Sequence, residues 1–315
     1  MKKGSFAYKR FIQTFGSLLA LVVLVIFVTV MNPNFLSMGN ILNLLRQVST
    51  NALIAFGMTF VILTGGIDLS VGSTLALSAA LSATFLGFGL PGWLAIILAL
   101  VIGCLLGWLN GGLLTFGRMA PFIATLATMS IFRGATLVIT DGKPLTDLGD
   151  SMLFKLLGRG YIFGIPIPVI IMLVIFLILY FVLHQTAFGK QVFAIGGNEA
   201  AAYISGINVS RVKRIVYAIS GVLAAVAGLL ITSRLNSAQP TAGVSYEMDA
   251  IASVVLGGTS MSGGAGHIGG TLIGALIIGV LNNGLNLLGV SSFYQQIIKG
   301  IVIIIAVLLD RNRKQ

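Results

Sequence analysis

Charge is scarce in this chain. Eight Asp and Glu and 19 Lys and Arg leave 9% of 315 residues charged against 57% hydrophobic, too few to face water around a soluble fold of this size. The single cysteine, Cys104, lies inside an apolar run. It forms no intrachain disulfide and is expected to pack as a small apolar side chain. No G-x-x-x-x-G-K-[ST] sequence occurs: Gly189-Lys190 is followed by Gln191, and Gly142-Lys143 by Pro144. The chain therefore lacks the phosphate cradle of an ATPase. With no nucleophile elbow or paired carboxylates, an intramembrane enzyme is unsupported and no cofactor is expected. His184 and His267 are far apart in sequence, without Cys or Glu at ligand spacing, and are read as loop residues near the cytoplasmic face. Gly264-Ala-Gly-His-Ile-Gly269 matches G-x-G-x-x-G, but residues 284–294 hold no acid and a spanning segment follows at once, so the dinucleotide reading fails.

What the chain has instead is apolar runs. A hydrocarbon core about 30 Å thick needs roughly 20 apolar residues per helix, and such runs recur from Phe15 to Leu309. The reading is an all-α polytopic membrane protein with a single transmembrane domain over 1–315. About ten spans are expected, near 15–31, 50–65, 70–88, 93–116, 121–140, 166–184, 214–233, 249–259, 268–289 and 294–310. Lys2, Lys3, Lys9 and Arg10 imitate a signal-peptide n-region, but no small-residue cleavage site follows, so the first helix is expected to be retained.

The net charge of +11 is not a nucleic-acid footprint, because the basic residues lie in short runs beside apolar segments. Threading from a cytoplasmic amino terminus puts inside those four residues, Arg118, Lys190, Arg211, Lys213, Arg214, Arg311, Arg313 and Lys314. Outside fall Arg46, Lys143, Lys155, Arg159, Arg234 and Lys299. Twelve against six follows the positive-inside tendency, and an even span count returns the carboxyl terminus to the cytoplasm.

Glycine punctuates the spans. Gly103, Gly107 and Gly111, and again Gly270 and Gly274, form small-residue stripes, read as packing sites within one chain rather than a dimer interface. Leu63 to Ser73 and Leu256 to Gly266 share a texture of paired glycines and small polar residues between apolar runs. Interrupted helices of this kind place irregular backbone along a path through the membrane. Asp141 to Gly160 is the longest extracytoplasmic loop.

Gly197 to Gly206 reads as one short capped helix: Asn198 at the N-cap, Glu199 in the first turn, Ala200 and Ala201 propagating, Tyr203 and Ser205 near its end, and Gly206 as a left-handed stop. Ser210 is expected to cap the next span. Such a helix between two spans is a knob for an intracellular partner, since it has too few bulky apolar residues to rest in lipid. Asp68 is the one acidic residue read deep in an interrupted helix, and Arg133 a base in the interior of the fifth span. Both are expected to act as structural locks, paired with each other or with helix ends.

These residues carry a family resemblance. Gly65-Gly-Ile-Asp-Leu-Ser-Val-Gly72, Pro121-Phe-Ile-Ala-Thr-Leu126, Gly196-Gly-Asn-Glu-Ala-Ala201, Ser205-Gly-Ile-Asn-Val209, Ser237-Ala-Gln-Pro-Thr-Ala-Gly243 and Leu281 to Ser291 together resemble the inner-membrane permeases of bacterial ribose ABC importers, within the sugar and branched-chain amino acid permeases. The resemblance covers nearly the whole chain. It implies a multi-pass protein of the bacterial cytoplasmic membrane, a homodimer with the path at the subunit interface, a cytoplasmic ATPase with two fused nucleotide-binding halves, and an extracytoplasmic sugar-binding protein. The coupling helix it implies corresponds to Asn198 through Ser205, within a cytoplasmic segment of about 185–213. Asn51, Thr59, Asn282, Asn283 and Asn286 are candidates to line the path, and Arg46 and Arg234 to meet carboxylates on the binding protein. Another pentose or hexose is the alternative cargo. An ion-coupled secondary transporter would need several acids near the midplane, where Asp68 is essentially alone.

Overall fold

The computed structural model describes residues 3–312, with side chains described for residues 16–305 and 308. Lys2, Arg313 and Lys314 from the charge count lie outside the described residues, as do the side chains of Lys3, Lys9, Arg10 and Arg311. The helices are α1 (Lys3–Met31), α2 (Met38–Leu63), α3 (Val71–Gly87), α4 (Gly92–Thr115), α5 (Pro121–Thr140), α6 (Met152–Arg159), α7 (Ile167–Gln185), α8 (Ala187–Gly197), α9 (Glu199–Ile204), α10 (Val209–Leu235), α11 (Tyr246–Leu256), α12 (Ile268–Leu287) and α13 (Ser292–Asn312). A two-residue hairpin, β1 (Tyr161–Ile162) and β2 (Ile165–Pro166), joins α6 to α7.

Among the described residues six helices are long and apolar enough to cross a bilayer: α2, α4, α5, α7, α10 and α12. Gly16–Met31, Val71–Gly87 and Ser292–Ile305 are shorter apolar stretches. The eighth expected span is only an 11-residue helix, α11, about 16 Å long at 1.5 Å per residue and so about half of a bilayer core. The expected fifth span matches α5, because Pro121 occupies its first turn and Asp141 ends it at φ 50°. By contrast α2 starts well ahead of the expected residue 50, at Met38. The 141–160 loop holds an unforeseen helix, α6, whose N-cap Ser151 accepts from the Phe154 amide at 3.3 Å. Asn208, not Ser210, caps α10 by accepting from the Arg211 amide at 3.0 Å.

The core is α2 and α10. In each, 78% of the apolar window is buried, against 28% in α4, α5 and α7, which turn their remaining faces outward. The glycine stripes do lie between helices of one chain. A Cβ on Gly103 would meet the Gly221 carbonyl at 2.5 Å and one on Gly111 the Arg214 Cα at 2.6 Å, so α4 lies backbone to backbone on α10. Gly270 faces Gly257, and Gly274 faces Ser253, which seats α12 on α11 in the same way.

Candidate functional site

One end of the bundle holds a polar cavity of about 240 Å³. Its lining follows from helical periodicity, since residues three or four apart share a face. Gln47, Thr50 and Asn51 come from α2, Tyr246 and Asp249 from α11, Asn282 and Asn286 from α12, Gln295 and Lys299 from α13, and Arg234 from the last turn of α10. Lys299 Nζ pairs with Asp249 Oδ2 at 2.9 Å, with the carboxylate side chain 9% and the ammonium side chain 23% exposed. Gln295 donates to Asn286 Oδ1 and to the Val290 carbonyl, each at 2.8 Å. Asn51 donates to Ser253 Oγ at 3.4 Å. The buried carboxamide oxygens of Asn51 and Asn282 have no hydrogen-bond partner. The cavity wall thus carries two unpaired, buried carboxamide acceptors beside one neutralised ion pair.

Three of the five residues expected along a path, Asn51, Asn282 and Asn286, come together here. The other two do not. Thr59 is fully buried, donating to the Ala55 carbonyl and pairing with Thr271 Oγ1, both at 2.8 Å. Asn283 turns to α2, where its amide and that of Asn40 exchange two bonds of 2.9 Å. Arg234 reaches the cavity, whereas the Arg46 guanidinium lies 4.7 Å from the Tyr161 ring centroid. Asp68 is not the sole buried acid: Asp249 is buried and Glu247 half-buried. The sequence signal for Asp249 was Lys299, a base near the start of an apolar helix that needs a counter-charge.

Asp68 and Arg133 do not meet. Asp68 Oδ1 accepts from the Ser70 amide and hydroxyl at 3.0 and 2.7 Å, and Oδ2 from Ser220 Oγ at 2.9 Å, tying the gap between α2 and α3 to α10. Asn110 of α4 donates to Ser70 Oγ at 2.7 Å. Arg133 donates to the carbonyls of Pro240 and Ala242 at 2.6 and 2.9 Å. Each therefore satisfies non-helical backbone, buried at Asp68 and partly buried at the Pro240–Ala242 turn, the setting in which a membrane fold tolerates it.

At the opposite end of α2 lies α9. Asn198 Oδ1 accepts from the Ala201 amide at 3.0 Å, Gly206 turns left-handed at φ 86°, and Glu199 pairs with Lys213 at 2.7 Å. Ala202 is buried, while Tyr203 and Ile204 are 73% and 84% exposed. Beside it the two interruptions converge. The Gly264 amide donates to the Leu63 carbonyl at 3.0 Å, and Cβ atoms on Gly263 and Gly264 would lie 3.0 Å from the Gly65 amide and 2.7 Å from the Gly197 amide. Gly196 packs on Leu63 and Gly264 with no room for a side chain. The histidines expected in separate loops also meet near this end. His184 is in the last turn of α7 and its ring stacks at 4.4 Å on His267, the N-cap of α12. No group of three or more His, Cys, Asp or Glu able to hold a metal occurs among the described residues.

The family model described as branched-chain amino acid transport system / permease component matches residues 40–307. The chain belongs to that family. This permease is 65% identical to the ribose import permease protein of Bacillus subtilis, over 96% of this chain and 94% of that one. It is 54% identical to the ribose import permease protein of Haemophilus influenzae, over 98% and 96%. The D-allose transport system permease protein of Escherichia coli is 42% identical over 98% of the permease and 95% of its own length. No solved structure matches significantly.

Proposed function

We propose that this chain is the membrane permease subunit of an ATP-driven ribose importer, carrying sugar handed over by a binding protein toward the cytoplasm. What carries the reading is near full-length identity to ribose import permeases, together with a polar cavity at one end of the bundle and an exposed capped helix at the other. Hydrolysis belongs to a separate ATPase, because this chain has no phosphate-binding sequence.

In the working cycle the loaded binding protein docks at the cavity end. ATP binding closes the ATPase on α9, and two copies of the permease rock so that the path opens to one side at a time. Sugar hydroxyls donate to the carboxamide oxygens of Asn51 and Asn282 as they pass. At about 240 Å³ the cavity is smaller than the roughly 300–1,000 Å³ of pre-formed ligand pockets, which suits brief occupancy. Arg46 and Arg234 are assigned to the binding-protein side, and Asn198 to Gly206 to the ATPase side. The count is ten crossings, with α1, α3, α13 and the α11 segment joining the six long apolar helices, and both termini are cytoplasmic.

The test is uptake of labelled ribose into vesicles holding this chain, its ATPase and its binding protein, with unlabelled allose and xylose as competitors. ATP-dependent uptake displaced by excess ribose alone is expected. Uptake displaced by allose moves the cargo, and uptake indifferent to ATP removes the ABC assignment.

A further inference from the structure

Away from the cavity, an apolar groove of about 500 Å³ runs along the outside of α10. Its floor is Ile215, Ile219, Val222 and Val226, one stripe of the helix, and its walls are Trp108 of α4 and Ile178 of α7. The groove exists because the glycine contacts draw α4 onto α10 while α7 stands off it.

The end of the groove near α9 is positively charged. The Arg214 guanidinium lies 4.9 Å from the Trp108 ring centroid and 4.7 Å from that of Phe116, with Nε donating to the Ser210 carbonyl at 3.2 Å. Arg211 is exposed one turn ahead of Ile215 on the same face. Among the described residues neither arginine pairs with a carboxylate, and the nearby Glu199 is taken by Lys213.

We propose that this groove binds one anionic phospholipid, with its phosphate on Arg211 and Arg214 and an acyl chain along α10. Length selects this occupant. From Ile215 to Val226 the floor rises about 17 Å, close to half of an about 30 Å hydrocarbon core. That is the depth of one leaflet, whereas a helix from a second copy would need a seam across both. Charge selects the headgroup, because guanidinium groups bind phosphate through paired donors. Trp108 sits at the junction of charged head and apolar floor, where its amphipathic ring suits the membrane interface.

The test uses the full chain in nanodiscs of phosphatidylglycerol and phosphatidylethanolamine, with retained lipid read by native mass spectrometry after detergent extraction. Preferential retention of phosphatidylglycerol is expected. Arg211→Gln with Arg214→Gln should cut that preference about twenty-five-fold, the product of about fivefold for each basic residue. Lys143→Gln with Lys155→Gln, which removes the same charge elsewhere, should leave it intact. Should the arginine variant fail to fold, Val222→Trp decides the matter: it fills the groove with both arginines in place and should release the lipid. Unchanged retention in either groove variant overturns the proposal. So does efficient oxidative Cys104–Cys104 cross-linking in native membranes, since Cys104 lines the groove and a bridge there would put a second copy in it.

Discussion

Asn282 and Asn283 are neighbours in sequence with opposite fates, because one helical step rotates a side chain by about 100°. Asn282 faces the cavity, and Asn283 is consumed by Asn40. Replacing Asn51 or Asn282 with alanine removes an acceptor worth about 0.5–1.5 kcal/mol. ATP-driven sugar uptake should fall roughly two- to tenfold, with expression and unfolding temperature unchanged; uptake at the parental rate would take the cavity off the path. The Asp249–Lys299 pair responds differently. Lys299→Met strands a buried carboxylate at a cost of about 1–3 kcal/mol, less than the about 3–5 of a fully enclosed pair because Lys299 keeps some solvent. Adding Asp249→Asn should recover most of the lost thermal stability in detergent, whereas additive losses would show that the two do not interact. Polar residues in apolar runs were thus visible as candidates from the sequence, but their partners were not. Thr59 shares a face of α2 with Asn51 but lies about 12 Å further along it, and only the packing of α12 against α2 shows it buried on Thr271.

At the scale of elements, boundaries marked by local chemistry were legible and those set by tertiary contact were not. Pro121 and Asp141 fix α5, and Asn198 and Gly206 fix α9, through backbone geometry that needs no neighbour. The paired glycines Gly257 and Gly258 announced the end of α11, with Gly258 turning left-handed at φ 87°, but not what that end would pack against. That partner is Gly270, which Gly257 meets in a contact between segments read as separate spans. The same holds for the junction of Leu63, Gly196 and Gly264, assembled from three distant glycine pairs. Asn198→Ala should remove about 1 kcal/mol of capping and reduce ATPase co-purification several-fold, while Asn208→Ala, which uncaps α10, should lower thermal stability more than ATPase retention. Equal ATPase retention in both would argue against α9 as the docking element.

For the whole molecule, composition decided the class before any motif did, because a chain with 9% charged residues has lipid as its solvent. Orientation rests on counting basic residues, several of them at the termini, and calls for a direct measurement. In a Cys104→Ser background, a cysteine at Thr146 should react with an impermeant maleimide from outside intact cells, and one at Ala200 only in inverted vesicles. The reverse pattern would invert the threading. One link at the cavity end bears on how such a protein tolerates change. Leu145 and Ala238 exchange two backbone bonds of 3.0 and 2.9 Å, stitching the 141–160 loop to the segment that Arg133 of α5 holds through Pro240 and Ala242 and that leads into Tyr246 and Asp249. Because the stitch uses only main-chain atoms, side chains around it are free to drift toward a new docking partner while the mechanical hitch to the cavity persists. Of the twenty residues, only proline at either position deletes a donor from it.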